Sequence, residues 1–352
     1  MRLHRQATAR LILLAALGTA FAIAWDRLNI TPLLVLGQPT TVGPLQSEKE
    51  APFFHTLAAR TGLPLKVTYR SLDSMGLKDT HQLDALKEGR IDIASLRFLQ
   101  NSKREPSLEG LDLPGMSLNF RTARQVADAY NPMLDRYLQH SFRTKLLGIW
   151  TFGAQDIFCR VPIHTIDDLR GKKIRVASDS LAQLIKAIGG IPAIVPFDDT
   201  KNALETGLVD CASTSAASAN SAGWTQHTSH FFPLALNFGI NGYVITLKKW
   251  NSLSPQQRNQ LLKAFRDFEK RQWLFSEKLQ EEARICTSGG PCRRLRPTRL
   301  TRVDPSEQDQ KKLLALSWKT VVPRWAVRCE RAHPGCAQEW RRKIAPLIYG
   351  GT

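Results

Sequence analysis

Beyond its first 24 residues this 352-residue chain has no apolar run of eighteen residues, which excludes a polytopic membrane protein. No segment recurs at a period of ~20–50 residues, so solenoids and propellers are excluded as well. Catalytic signatures are missing too. There is no Gly-x-Ser-x-Gly elbow, no His-Glu-x-x-His, no phosphate-binding P-loop and no dinucleotide fingerprint. The paired carboxylates Asp167-Asp168 and Asp198-Asp199 stand where helices start, and N-capping accounts for them. These absences move the weight from catalysis towards binding. Acidic residues are also scarce, 31 against 49 Lys and Arg, for a formal charge of +18. That excess raises a nucleic-acid reading, with Arg293, Arg294, Arg296, Arg299 and Arg302 as a local cluster. No recognition motif or zinc-finger spacing supports it. A solvated basic surface that draws in small anions is the simpler expectation.

What is present begins with a leader. Arg2, Arg5 and Arg10 precede fourteen uncharged residues, Leu11 to Ala24, which end in Ala22-Ile23-Ala24. Fourteen residues fall short of the ~20 that span a bilayer, and the small-x-small ending fits signal-peptidase cleavage. Residues 1–24 are therefore expected to be a cleaved export signal, the alternative being an uncleaved anchor. Their removal takes away three Arg and lowers the formal charge from +18 to +15.

Six cysteines suit an oxidising compartment. Cys286 and Cys292 close a loop with two Gly and a Pro; Cys329 and Cys336 close another short one. Cys159 and Cys211, each after a strand-like segment, remain. Six cysteines allow ~15 connectivities, so the other pairings stay open. A metal reading would use Cys329, His333 and Cys336, but the spacing is not that of a zinc finger. No metal or cofactor is expected.

At ~150 residues per domain the length suggests two domains. Leu33–Leu36, Leu65–Tyr69 and Ile91–Ser95 read as strands, with helical segments between them over residues 47–61 and from Asp79 to Gly89. A second series follows: strands at Ile157–Val161, Lys173–Ala177 and Leu208–Ala212, helices capped at Ser178 or Asp179 and opened by Asp198 to Thr200. Alternation of this kind implies largely parallel sheets covered by helices, an α/β protein in two units. Ser254 with Pro255 then opens a helix reaching about residue 284. At ~1.5 Å per residue it is longer than one domain is wide, so it is expected to lie across both. Its aromatic stripe is expected to be core. Further helices are indicated at 306–322 and 337–347.

One residue breaks the pattern. Arg175 lies inside the strand Lys173-Ile-Arg-Val-Ala177, where alternation puts Ile174 and Val176 on one face and Arg175 on the other. A guanidinium there is costly to bury unless an anion meets it, and its planar fork matches a carboxylate. The plainer alternative is a structural ion pair.

The stretch Leu147–Ser215 resembles the periplasmic solute-binding proteins of tripartite ATP-independent (TRAP) transporters, of the C4-dicarboxylate-binding type. The resemblance is carried by Asp168-Leu-Arg-Gly-Lys-Lys-Ile-Arg-Val176, Gly153-x-Gln155, Gly189-Gly-Ile-Pro192, Pro196-Phe197 and Leu204-Glu-Thr-Gly-Leu-Val-Asp210. Leu86-Lys-Glu-Gly-Arg-Ile-Asp92 and Trp250-Asn-Ser-Leu-Ser254 extend it over roughly residues 33–285. It implies a two-lobed periplasmic binding protein of Venus-flytrap type, with a mixed sheet in each lobe and hinge strands near 150–153 and 238–242. Lobe I would comprise 25–151 plus about 240–280, and lobe II 152–239 plus about 281–352 with the Cys-rich segment. The resemblance also implies a periplasmic monomer that binds a small organic acid and delivers it to the membrane subunits of a TRAP transporter. Arg175 would clamp the ligand carboxylate. Gln155 stands where many members carry a second Arg, Phe197 where an aromatic ring meets the ligand, and Thr214 and Ser215, beside Ser213, near a polar position. With one clamping Arg and a neutral amide, a monocarboxylate with an apolar body is expected. Trp150, Phe152 and Trp224 are weaker lining candidates, and Thr40, Thr41 and Met75 follow strand ends of the first lobe. The rival readings are a secreted enzyme acting on a carboxylate and a membrane-anchored sensory module.

Overall fold

The computed structural model describes residues 30–349, so the leader expected over residues 1–24 lies outside the described residues. Eleven strands occur in chain order: β1 (Thr31–Gly37), β2 (Leu65–Ser71), β3 (Ile93–Arg97), β4 (Thr144–Thr151), β5 (Asp156–Cys159), β6 (Lys173–Val176), β7 (Ile191–Ile194), β8 (Cys211–Thr214), β9 (His230–Phe232), β10 (Ile240–Thr246) and β11 (Thr301–Arg302). They form two sheets, ordered β2-β1-β3-β10-β4 and β11-β9-β5-β8-β6-β7. In each sheet the βαβ strands run parallel, and the strands that carry the chain between sheets enter antiparallel. One sheet per lobe, both mixed, is the architecture expected.

Two strands start later than their apolar runs suggest, for one shared reason. Asp92 accepts the backbone N–H of Leu34 and Asp210 that of Lys173, both at 2.8 Å. Each Gly-x-Ile/Val-Asp motif thus ends a helix, and its carboxylate pins the neighbouring strand before β3 or β8 begins. The same device serves both lobes.

The chain passes between sheets at residues 152–155 and 233–239, and again in the helix Pro255–Thr287. Ser254 caps that helix in a capping box with Gln257, and 33 residues at ~1.5 Å each give roughly 50 Å. Its first part packs on lobe I, where Trp273 donates to Ile149 O at 2.8 Å. Its end reaches lobe II, where Arg284 pairs with Asp156 at 2.6 Å. Of the stripe Leu261, Phe265, Phe268, Phe275 and Leu279, four are core as expected, while Phe275 is only half-buried, with Lys49 and Arg294 over its ring. A 23-residue helix, Phe120–Phe142, has no counterpart among the sequence expectations, although Val126, Tyr130, Met133, Leu134, Tyr137 and Leu138 recur at helical spacing and are buried, and Pro132 does not break it.

The cysteines pair 159–211, 286–292 and 329–336. Cys159 and Cys211 face each other in the β5/β8 register. His333 stacks on Tyr137 and bonds Glu105 at 2.9 Å, so the Cys329–His333–Cys336 group is a disulfide and a buried hydrogen bond.

The C-terminal helices correct the expected boundary. Residues 281–352 were assigned to lobe II, and the first of these helices, Glu307–Leu316, does pack there, with Asp309 accepting from Ile166 N at 2.9 Å. The following ones, Val322–Ala332 and Cys336–Lys343, bury Trp325 and Trp340 against lobe I, donating to Pro106 O and Gly110 O. Two large indoles outweigh chain proximity, and the tail straps both lobes together. Among the described residues no helix is long and apolar enough to cross a membrane.

Candidate ligand-binding cleft

Arg175 sits on β6 with Ala193 of β7 and Ala212 of β8 as its register partners. Two methyl-sized neighbours leave room for its stem to cross the sheet, while Ile174 and Val176 face the core. Its Nε donates to Val195 O at 2.9 Å and its Nη1 to Ser213 O at 3.1 Å. These bonds fix the fork and leave Nη2 for the cleft. The residue is 2% exposed, yet it forms no ion pair among the described residues. Burial, then the nearby Arg97 charge, pushes its pKa down to about 9. It remains a cation at neutral pH without a close counter-charge, the condition in which an incoming anion is favoured.

Arg97 is the cleft-lining cation that motif reasoning did not single out. It ends β3 in lobe I, 3% exposed, with its Nε buried and unpartnered. Asp79 lies 3.5 Å from Nη1, and burial holds its pKa down against the pull of Asp79 and Asp198. The available signal was position: an Arg at the carboxyl end of a parallel strand, where ligands gather in open α/β sheets. A second buried guanidinium thus lines the cleft beside that of Arg175, and it comes from the opposite lobe.

Phe197 lies between the two, its ring 5.3 Å from the Arg97 guanidinium carbon and 6.0 Å from that of Arg175. Trp224 backs Phe197 at 5.0 Å and stacks under Arg175 at 5.3 Å. Phe152, Gln155, Thr214, Ser218 and Asn241 are also in the inner lining, around a nearly closed cavity of about 20 Å³. Arg175 also borders the mouth, with Asp79, Ala177, Ile194 and Pro196. Gln155 and Thr214 are thus brought to the cleft as expected. Ser215 is not: its hydroxyl caps the helix Ala216–Ser221, and Ser218, one turn on, lines the site. Trp150 is buried against Tyr243. Met75 packs on the core, Thr40 bonds Asp73, and Thr41 donates to Asp198 across the cleft at 3.0 Å.

A larger open groove of about 860 Å³ lies behind the hinge, lined by Arg121, Glu277, Gln280 and Arg284 among others. Arg284 is neutralised there by Asp156, whereas Arg175 in the cleft has no ion-pair partner among the described residues.

Two α/β lobes, joined by crossing strands and closing on cationic side chains from both, define a solute-binding protein. The chain belongs to the bacterial extracellular solute-binding protein family 7 (DctP), which it matches over residues 45–290. A solute-binding protein of Sulfitobacter sp. (strain NAS-14.1) is 27% identical over 184 residues, 49% of this chain and 53% of that relative. The match thus spans about half of the relative's length. Among solved structures, the Bordetella pertussis extracytoplasmic solute receptor DctP7, binding pyroglutamic acid, superposes with a TM-score of 0.78 at 17% identity, covering 90% of this chain and 99% of that one. A TRAP periplasmic solute-binding protein from Rhodoferax ferrireducens with bound malonate gives 0.78 at 19% identity, over 91% and 99%.

Proposed function

We propose that this protein is an extracytoplasmic receptor that captures a small organic acid between its lobes and hands it to the membrane subunits of a TRAP-type transporter. The observation that carries the reading is the pair of buried guanidiniums, Arg97 and Arg175, which enter one cleft from opposite lobes. Family membership supports it, as do the acids held by the two solved relatives, pyroglutamate and malonate. The leader of residues 1–24 would place the mature chain in the periplasm after cleavage.

Mechanistically, a carboxylate approaching Arg175 exchanges water for charge-assisted hydrogen bonds from a fork already held by two backbone carbonyls. Lobe I then brings Arg97 to the same anion, and the ligand bridges the lobes and favours the closed state. Closure and release make up the receptor's cycle, and the acid leaves unchanged. The test is a thermal-shift screen of the purified protein against aliphatic, aromatic, hydroxy and keto acids, with recovery of the hits after incubation. An acid at ~100 times its Kd raises stability by ~2.7 kcal/mol. No shift with any acid, or an Arg175→Ala variant that binds as the parent does, defeats the reading; a chemically altered acid defeats the assignment as a receptor.

A further inference from the structure

Two carboxamides lie at the hinge end of the cleft, and one local device orients both. Gln155 Nε2 donates to Gly153 O at 2.9 Å, and Asn241 Nδ2 donates to Gly239 O at 2.7 Å. Each bond reaches back two residues to a glycine of positive φ, +97° and +56°. A Cβ at Gly239 would lie 2.5 Å from Gln155 Nε2, so the glycine lets the two crossings approach. A carbonyl oxygen only accepts, so one N–H of each amide is spent on the backbone, which fixes the amide's orientation and turns its oxygen away from that carbonyl. Neither oxygen has a donor among the described residues, and neither is sealed in. Both residues line the cleft while being 8% and 2% exposed. Asn241 is also the register partner of Arg97 across β3 and β10, so the acceptor lies beside a cation.

The polar lining therefore divides by chemistry. Arg97 and Arg175 offer only donors, whereas Gln155 Oε1 and Asn241 Oδ1 offer only acceptors. Thr214 and Ser218 hydroxyls rotate to suit either partner and do not discriminate. A bare alkanoate or dicarboxylate satisfies the guanidiniums but sets oxyanion or C–H against the amide oxygens, leaving buried acceptors unpaired. An ammonium would supply donors at the cost of repulsion from two guanidiniums. We infer that the cognate ligand carries, besides its carboxylate, a neutral N–H or O–H donor directed at Gln155 and Asn241: a hydroxy acid, an N-acylated amino acid or a lactam acid. This rests on the organic-acid reading above and narrows it.

The test is calorimetric titration of the purified protein with matched acids: pyroglutamate against N-methylpyroglutamate, and 2-hydroxybutanoate against butanoate. In at least one pair the donor-bearing member binds ~10-fold tighter or more, the scale of one hydrogen bond to a buried acceptor. Gln155→Met, similar in volume but without the acceptor, reduces that preference. Equal or reversed affinities in both pairs, while some acid binds, overturn this inference and leave the organic-acid reading standing. If no acid of any kind binds, that reading falls and this one with it.

Discussion

Arg97 and Arg175, one from each lobe, share the ring of Phe197, with guanidinium carbons 5.3 and 6.0 Å from its centroid. The two cations are thus no more than about 11 Å apart, the limit set by those distances. At that separation and an effective dielectric of ~20, like charges repel by roughly 1.5 kcal/mol. The phenyl face attracts both and offsets part of that cost. On the function proposed above, an anion bound between them would convert repulsion across the cleft into attraction and add to the force that holds the lobes together.

Arg175→Met should accordingly separate binding from stability. It removes a buried cation with no close counter-charge while keeping most of the stem packed between Ala193 and Ala212. Acid affinity should fall ~10–100-fold, the range for charge-assisted bonds, whereas the melting temperature of the ligand-free protein should rise. Titration and melting of the same preparation check both. A drop in both would mean that Arg175 is part of the scaffold.

Asp112 gives the fold a pH dependence centred on the hinge. Its buried carboxylate accepts from Phe238 N and Asn237 Nδ2 at 2.7 Å and from Ile240 N at 3.1 Å, tying lobe I to the crossing segment. Burial outweighs those donors and raises its pKa from 3.8 to about 7. The folded state therefore holds a proton that the unfolded chain has lost, and this contribution, complete below pH ~4, disappears as pH rises through ~7. Between pH 5 and 8 the parent should lose stability relative to Asp112→Asn by at most ~1.4 kcal/mol per unit. Parallel denaturation curves across that range would refute it.

Much of this molecule is legible in its sequence, for reasons that can be named. The β-α-β order shows through because the helices between the parallel strands end at glycines and those strands are short apolar or alternating segments; Ser254 and Ser178 announce their caps. Arg175 shows because a charge within an alternating strand contradicts its surroundings. Arg97 does not, since an Arg ending a strand looks like any surface residue until the opposite lobe is in place. The role of Ser215 is misread because three consecutive hydroxyls share one composition, and only the start of the next helix decides which one it consumes as a cap. The tail's attachment to lobe I is hidden for a similar reason: Trp325 and Trp340 read as apolar, but their receiving carbonyls lie more than 200 residues away in the chain.

The disulfides should differ in worth according to the chain they close. Cys159–Cys211 spans 52 residues and Cys286–Cys292 six. Loop-closure entropy assigns about 4 kcal/mol to the first and about 2 kcal/mol to the second. Denaturant unfolding of the two double Ala variants should preserve that order. A larger loss from the short loop would show that local packing, not chain entropy, governs its contribution.

A buried contact between the lobes, outside the cleft lining, should set how long a ligand stays. Glu109, fully buried in lobe I, accepts from the Ser180 hydroxyl at 2.7 Å and from Arg328 Nη2 at 2.6 Å, and Arg328 also donates to Ser180 Oγ at 2.8 Å. Ser180 belongs to the lobe II helix Asp179–Ile188, which directly follows the strand of Arg175; Arg328 belongs to the tail helix stapled by Cys329–Cys336. Glu109 and Arg328 lie with lobe I, so opening the cleft parts them from Ser180 without breaking any contact to the bound acid. Ser180→Ala should therefore destabilise the closed state by about one hydrogen bond, ~1 kcal/mol, and raise the ligand off-rate ~5-fold. Association, which starts from the open form, should change little, and so should the melting temperature without ligand. Glu109→Gln keeps an acceptor for Ser180 but weakens the pair with Arg328, and should give a smaller rise. Stopped-flow displacement measures these rates, and an unchanged off-rate in Ser180→Ala would show that this contact travels with the lobes instead of holding them shut.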